Sequence, residues 1–444
     1  MAGSPAELVF PFLSSKPIIA RFDGGDITSD AGLLLLAQAD RKLGLTEALS
    51  NNILDVRDPA KIVHPVVDLI RERVFAIALG YEDANDLDSL ADDPALRAAC
   101  GRRLVPQDRL ASQPTISRLE NRADSKDLLC MALALAKIVV GQLPRGTRRV
   151  ILDVDASEDP CHGQQEFEFF NSHYNAHCYL PVFVHITAED GRQRLMTALL
   201  RPGNADAKTG LFGILRRCVQ LIRKRFPKTE IVLRGDCAYG QAEVIAFCRE
   251  HGLPFVLGLS TNARVKRLAA PGEQAALSRA GIKDETARFY ASFHYKADSW
   301  AQPERVIERI EITAGAINPR FVVSNLADET AEAIYLFYCE RGEQENRIKE
   351  IKLDLRSDRT SCHRFLANQF RLLLHAAASV LFCALQDALS GTSFAKAQVG
   401  TIRLKLLKAG AQAIESTRRL WFRLSSSFAY QSVWHALYAR LSCT

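Results

Sequence analysis

Arg149-Val-Ile-Leu-Asp-Val-Asp155 alternates: Val150, Leu152 and Val154 fall on one face, and Ile151, Asp153 and Asp155 on the other. A period of two over seven residues is the signature of a β-strand, here one that ends on a carboxylate. Working outward, residues 179–186 and 194–200 read as further strands, 211–226 as a basic amphipathic helix, 230–233 as a strand and 241–250 as a helix. Before this block the chain reads mainly as helices. Thr28, Ser29 and Asp30 offer N-caps ahead of 31–39, residues 64–79 repeat every 3.6 positions, and 128–140 is a further apolar helix. Ser112-Gln-Pro-Thr115 looks like a capped helix start that carries Arg118 outward, and Pro144-Arg-Gly146 marks a boundary.

Three strands, a helix, a strand and a helix is the order of an RNase H-like mixed sheet. After it, strand patterns dominate residues 255–259, 287–295, 306–313 and 321–324. Asp236 and Glu345 stand 109 positions apart, more than such a sheet needs, so a β-rich insertion is expected at about 254–328. From residue 365 the pattern is helical to the end. The expected architecture is α/β in three domains: a helical domain at 1–145, a catalytic domain at 146–364 and a basic helical domain at 365–444. A chain of 444 residues, 48% hydrophobic, can bury two or three cores.

Tyr338, Arg341, Glu345 and Lys352 share the spacing Y-x2-R-x3-E-x6-K. On an α-helix they fall within one wedge roughly 60° wide, which Lys349 and Arg356 join while Glu343, Glu350 and Asp354 point elsewhere. A lone acid in a basic stripe suits a metal-dependent enzyme acting on a polyanionic backbone. The alternative is a solvated helix laced with i,i+4 ion pairs. Gly342 weakens the first turn, so Tyr338 and Arg341 can also sit just before the helix. The formal charge of +6 is modest, but residues 341–444 carry 16 Lys/Arg against 7 Asp/Glu, which makes this quarter the candidate electrostatic footprint for DNA.

The eleven cysteines form no C-x2-C pair and no secretory leader is read, so a reduced cytoplasmic chain is expected. The apolar run 372–385 is shorter than the roughly 20 residues a membrane span needs and carries His375, so a core helix is expected and no membrane. His173-x3-His177, with Glu166 and Glu168 nearby, could hold zinc if helical, whereas Phe169, Phe170, Tyr174 and Tyr179 favour a packed segment.

The wording from Tyr338 to Lys352 resembles the signature of bacterial insertion-sequence DDE transposases, and of the insertion-sequence 1380 family in particular. Asp153-Val-Asp155-Ala-Ser157-Glu158-Asp159-Pro160, His162-Gly-Gln-Gln165, Leu233-Arg234-Gly-Asp236, Gly80-Tyr81-Glu82-Asp83, residues 112–121 and residues 400–408 are similar to that group as well. The resemblance covers nearly the whole chain. It implies an RNase H-like core with an insertion, and cut-and-paste transposition through cleavage and strand transfer at the inverted repeats of its own element. It also implies two magnesium ions, replaceable by manganese, held by Asp155, Asp236 and Glu345. Tyr338, Arg341 and Lys352, with Lys349 and Arg356 on the same face, would contact the DNA. The expected partners are double-stranded terminal repeats, target DNA and a second copy of the chain, in the bacterial cytoplasm at the nucleoid. The N-terminal region would help bind the element's ends, although a scaffold module explains its helices equally well.

Related transposases form a hairpin at the transposon end and stack a flipped base on an aromatic of the insertion. Trp300, in Ala297-Asp-Ser-Trp300, is the candidate here, with a buried core indole as the alternative. Asp153 and Asp155 share a strand face, so both could approach the metals. Asp155 is favoured for its D-x-[ST] wording and its place at the strand end, leaving Asp153 to pair with Arg149 or Arg234. Two rival functions remain: a nuclease without strand transfer, and a DNA-binding protein with a dead site.

Overall fold

The computed structural model describes residues 7–10, 15–280, 286–314 and 316–442; Cys443 lies outside them. The chain divides into two compact units, one formed by residues 1–120 and 377–444, the other by 121–376. The helix Ser125–Gly141, read with the N-terminal helices, groups with the second unit, where it packs on the strand Gln193–Leu199.

The second unit is built on one eight-stranded sheet. Its order is Ala287–Tyr295, Glu304–Thr313, Ala316–Ser324, Phe255–Leu259, Glu230–Gly235, Arg149–Ala156, Val182–Thr187, Gln193–Leu199. Glu230–Gly235 runs parallel to both of its neighbours, and every other pairing is antiparallel. Arg149–Ala156 therefore lies inside the sheet, and Val150, Leu152 and Val154 are fully buried. Phe255–Leu259, expected to open an insertion, pairs beside Glu230–Gly235, and the strands Ala316–Ser324, Glu304–Thr313 and Ala287–Tyr295 continue the same sheet from it.

Several local readings need correction. Residues 179–186 are two strands, Ala176–Tyr179 and Val182–Thr187, because Pro181 has no N–H to donate to a ladder. A helix, Ala263–Ala280, lies within the stretch expected to be β-rich, at residues where no element was read. Pro271 and Gly272 inside it are poor helix formers, and burial of Val265, Ala269 and Ala276 against the extended sheet outweighs their cost. In the other unit, Ala411–Glu415 and Leu420–Leu424 form an antiparallel hairpin where helix was expected, and Ile27–Thr28 adds to it as a third strand. That pairing joins residues almost four hundred positions apart, which local periodicity does not register.

The first unit is held around Asp30, which is buried and does not cap a helix: the N-cap of Leu33–Leu43 is Gly32. Its carboxylate accepts from Tyr81 Oη at 2.8 Å and lies 2.7 Å from Lys408 Nζ, and Lys408 sits over the Tyr81 ring. Arg403 packs against Gly80 and donates to the Ala78 carbonyl at 2.8 Å. The stretches around residues 80–83 and 400–408 thus meet each other, and their wording reflects a buried polar junction. Phe365–Ala388 is, among the described residues, the one helix long and apolar enough to cross a membrane, and 89% of its most apolar window is buried. It is a core helix, longer than the apolar run alone suggested.

Candidate active site

The strands Arg149–Ala156 and Glu230–Gly235 are parallel neighbours, so the residues at their C-terminal ends, Asp155 and Asp236, emerge on the same edge of the sheet. The third carboxylate comes from the helix Gly342–Leu353. Gln344, Ile348 and Ile351 of that helix are buried, and Gln344 Nε2 lies 3.4 Å from His185 Nδ1 on the strand Val182–Thr187. Burying this stripe turns Glu345 to the opposite, open side.

Tyr338 and Glu345 do not share a helix. Ala331–Cys339 ends, the chain turns, and Arg341 is the N-cap of the next helix. Gly342 at the first helical position explains the break. The signature residues nevertheless converge, because the turn aims them at the two strand ends. Arg341 Nη1 donates to Asp155 Oδ2 at 2.9 Å while its Nη2 donates to Glu345 Oε1 at 2.8 Å. Lys352 Nζ reaches the loop after Asp155, donating to Ser157 Oγ at 3.0 Å and to the Glu158 carbonyl at 2.6 Å. Lys349 and Arg356 are exposed on the same helix and just beyond it.

Asp155 is almost fully buried, and burial pushes its carboxyl up to about 7; Asp236 and Glu345 add to the rise, while Arg341 and the Ala156 N–H oppose it. The mutual influence places all three acids within one field. The Tyr239 phenol is buried in that field without a hydrogen-bond partner, and burial raises it.

Asp153 has a different environment. It is 0% exposed, clasped by Arg234 Nε at 2.6 Å and Nη2 at 3.0 Å, and receives Gln193 Nε2 at 2.8 Å. Arg234, one of the two partners considered for it, also packs over the Phe337 ring and donates to the Phe337 carbonyl. This pair ties the strand to the helix that carries Tyr338. Every side-chain oxygen of Asp153 is thus consumed by the fold.

Ser157, singled out in the sequence only by its D-x-[ST] wording, receives Lys352. One residue unnoticed in the sequence also shapes the site. Gly258, on Phe255–Leu259, lets Tyr338 and the Asp236 loop close in: a Cβ there would stand 2.8 Å from Tyr338 Oη, 2.6 Å from Cys237 N and 2.9 Å from the Asp236 carbonyl carbon. Two of these are backbone atoms that cannot swing aside. Gly258→Ala should therefore displace Asp236 and cost about tenfold or more in cleavage with little loss of stability, measured by nicking rate beside thermal melting. Wild-type nicking would show that the loop is free to shift.

Trp300 is corrected from exposed platform to core. It is 6% exposed and packs edge-to-face on Tyr295 at 5.2 Å, because the strand Ala287–Tyr295 and its turn fold the indole inward. His173 and His177 are not on a helix: they flank a hairpin turn, with His177 Nδ1 2.9 Å from Glu168 Oε2. Among the described residues no group of three or more His, Cys, Asp or Glu side chains is arranged to hold a metal.

Residues 10–444 match the family model described as transposase DDE domain, group 1. The chain belongs to the DDE transposases. No curated protein matches it. Membership implies a nuclease or transposase activity, and DDE transposases generally use divalent metal ions. The donors at the sheet edge fit such an ion in kind, since all three are hard carboxylate oxygens with no thiolate or imidazole among them. A cation, the Arg341 guanidinium, already bridges two of them.

Proposed function

We propose that the transposase moves its own element by cut-and-paste, that it is of the insertion-sequence 1380 family, and that its core is RNase H-like. Asp155, Asp236 and Glu345 would hold two magnesium ions, with manganese as a substitute. The observation that carries this reading is the bridge of Arg341 between Asp155 and Glu345, which brings acids 190 positions apart to one guanidinium beside the strand end of Asp236. The strand order Gln193–Leu199, Val182–Thr187, Arg149–Ala156, Glu230–Gly235, Phe255–Leu259 supports the RNase H-like assignment.

When bound, the divalent ions would activate the attacking hydroxyl and stabilise the leaving oxygen. The protein's part is to hold three ionised carboxylates at the sheet edge and to supply cations for phosphates. Arg341 neutralises Asp155 and Glu345 in the free chain; on DNA its planar fork would turn to a backbone phosphate, with Lys349 and Arg356 beside it. Lys352 keeps the loop after Asp155 in place and presents its charge there. Tyr338 positions the Asp236 loop across Gly258. Paired cutting at two inverted repeats calls for a dimer on DNA, and excision through a hairpin end belongs to the same proposal.

The test is a mini-transposon assay with purified protein, reading excision, hairpin ends on a denaturing gel, and joining to a target. Cleavage without joining would leave a nuclease, and no metal-dependent nicking would end the proposal.

The carboxyl of Asp155 also sets a pH dependence. Its folded value, raised to about 7, lies above the ordinary 3.8, so the proton is held in the fold and released on unfolding. The stability it contributes is complete below about pH 4 and is lost as pH rises through 7. Binding of a divalent ion needs the ionised form, so manganese affinity and nicking should both climb through pH 7 while metal-free stability falls. Titration calorimetry and melting at pH 5.5 and 8 would check both signs.

A further inference from the structure

The three-stranded sheet of the first unit has one packed and one open face. Thr28, Ala411 and Ala413 are buried on the packed side. Register places Ile27, Gln412, Ile414, Trp421 and Arg423 on the other. There Ile27 is 59%, Ile414 37% and Trp421 52% exposed. An unpartnered sheet face with an open indole is unusual on a soluble surface and marks a contact site. Its charge says with what. Arg418 and Arg419 form the hairpin tip, closed by the Ser416 N–H donating to the Arg419 carbonyl at 2.8 Å, and the Arg419 guanidinium lies 5.7 Å from the Trp421 ring centroid. Among the described residues none of Arg418, Arg419 and Arg423 is in ion-pair contact with a carboxylate. The one acid in residues 411–424, Glu415, is drawn to the packed side, accepting from Leu104 N at 2.7 Å with Arg103 3.8 Å away.

We propose that this face binds double-stranded DNA through its phosphates, irrespective of sequence, with the three arginines as the cationic contacts and Trp421 packed against the sugar-phosphate edge. The charge complementarity between three unneutralised guanidinium groups and a polyanion selects DNA over an apolar partner. The inference rests on the transposase reading for the identity of its partner, but not on the assignment of the catalytic acids.

The experiment compares the full chain with its Arg418→Ala/Arg419→Ala/Arg423→Ala variant. Binding to a labelled inverted-repeat duplex and to a scrambled duplex is followed by anisotropy between 50 and 200 mM salt. Each lost phosphate contact removes about 0.9 from the salt slope, so the variant should lose about 2.7 on both duplexes. Over that fourfold rise in salt the wild-type affinity should fall about 40-fold more than the variant's. Trp421→Phe should remove DNA-induced quenching of the tryptophan emission. An unchanged slope in a variant that melts normally overturns the proposal, as does a loss confined to the inverted repeat. If the variant instead passes from dimer to monomer in sedimentation with its slope intact, the face joins two copies and the proposal also fails. The variant's salt slope and the metal-dependent nicking of the wild type are separate readouts, so failure of one reading does not disguise failure of the other.

Discussion

Asp153→Asn should destabilise the transposase by about 3–5 kcal/mol, whereas Asp155→Asn should leave it folded and without metal-dependent cleavage. The first expectation follows from Arg234, 2% exposed and bidentate to Asp153: an amide in place of the carboxylate leaves a buried guanidinium uncompensated and sets an N–H2 against the Arg234 and Gln193 donors. Loss of that pair also loosens the helix Ala331–Cys339, which Arg234 holds through Phe337. The second follows from the raised carboxyl of Asp155. An asparagine at 155 gives up the ion pair to Arg341 but is relieved of ionising in a buried place beside two other acids. Urea denaturation at pH 7.5 with a magnesium nicking assay separates the two. A stable, inactive Asp153→Asn beside an unstable Asp155→Asn would reverse the assignment.

The two aspartates show how far a sequence carries such an assignment. Period-two alternation puts both on one face of Arg149–Ala156. It cannot say which of the two is neutralised, because the neutralising Arg234 arrives from a neighbouring strand 81 positions later. The same boundary between local and distant recurs through the fold. Phe255–Leu259 and Ala287–Tyr295 are legible residue for residue, since alternation and flanking turns are local. The hairpin at 411–424 is not, since its third strand is Ile27–Thr28. The helix Ala263–Ala280 is hidden by Pro271-Gly272, and the packing that sustains it comes from the strands that follow. At the site, the spacing Y-x2-R-x3-E-x6-K implies one helical face and the structure supplies two helices. The four residues still converge because the turn at 340–341 and the loops after Asp155 and Asp236 are complementary, which a helical projection does not contain. Trp300 shows the reverse case: polar neighbours in the chain suggest exposure, but Tyr295, five positions away, closes over the ring.

Glu345→Gln should abolish cleavage while DNA binding stays within a few fold of wild type. Glu345 is about half exposed and stands on a helix anchored through Gln344, Ile348 and Ile351, so its side chain does little for folding and its loss should not move the melting temperature. What glutamine removes is one negative charge from a set of three. A neutral amide oxygen is a weak ligand for magnesium, and the loss of one charged ligand removes several kcal/mol of transition-state stabilisation, about a thousandfold or more in rate. Glutamine also frees one arm of Arg341, whose other arm remains on Asp155. That arm becomes available to a phosphate, so end binding should be retained or slightly tightened, and its salt dependence should steepen by up to about one unit. Single-turnover nicking in magnesium and in manganese, run beside anisotropy on the same duplex, reads both consequences at once. Cleavage at the wild-type rate would remove Glu345 from the metal site. Lost cleavage together with lost binding would make it part of the DNA-contacting surface instead, and would return Arg341 and Glu345 to the status of an ordinary i,i+4 ion pair.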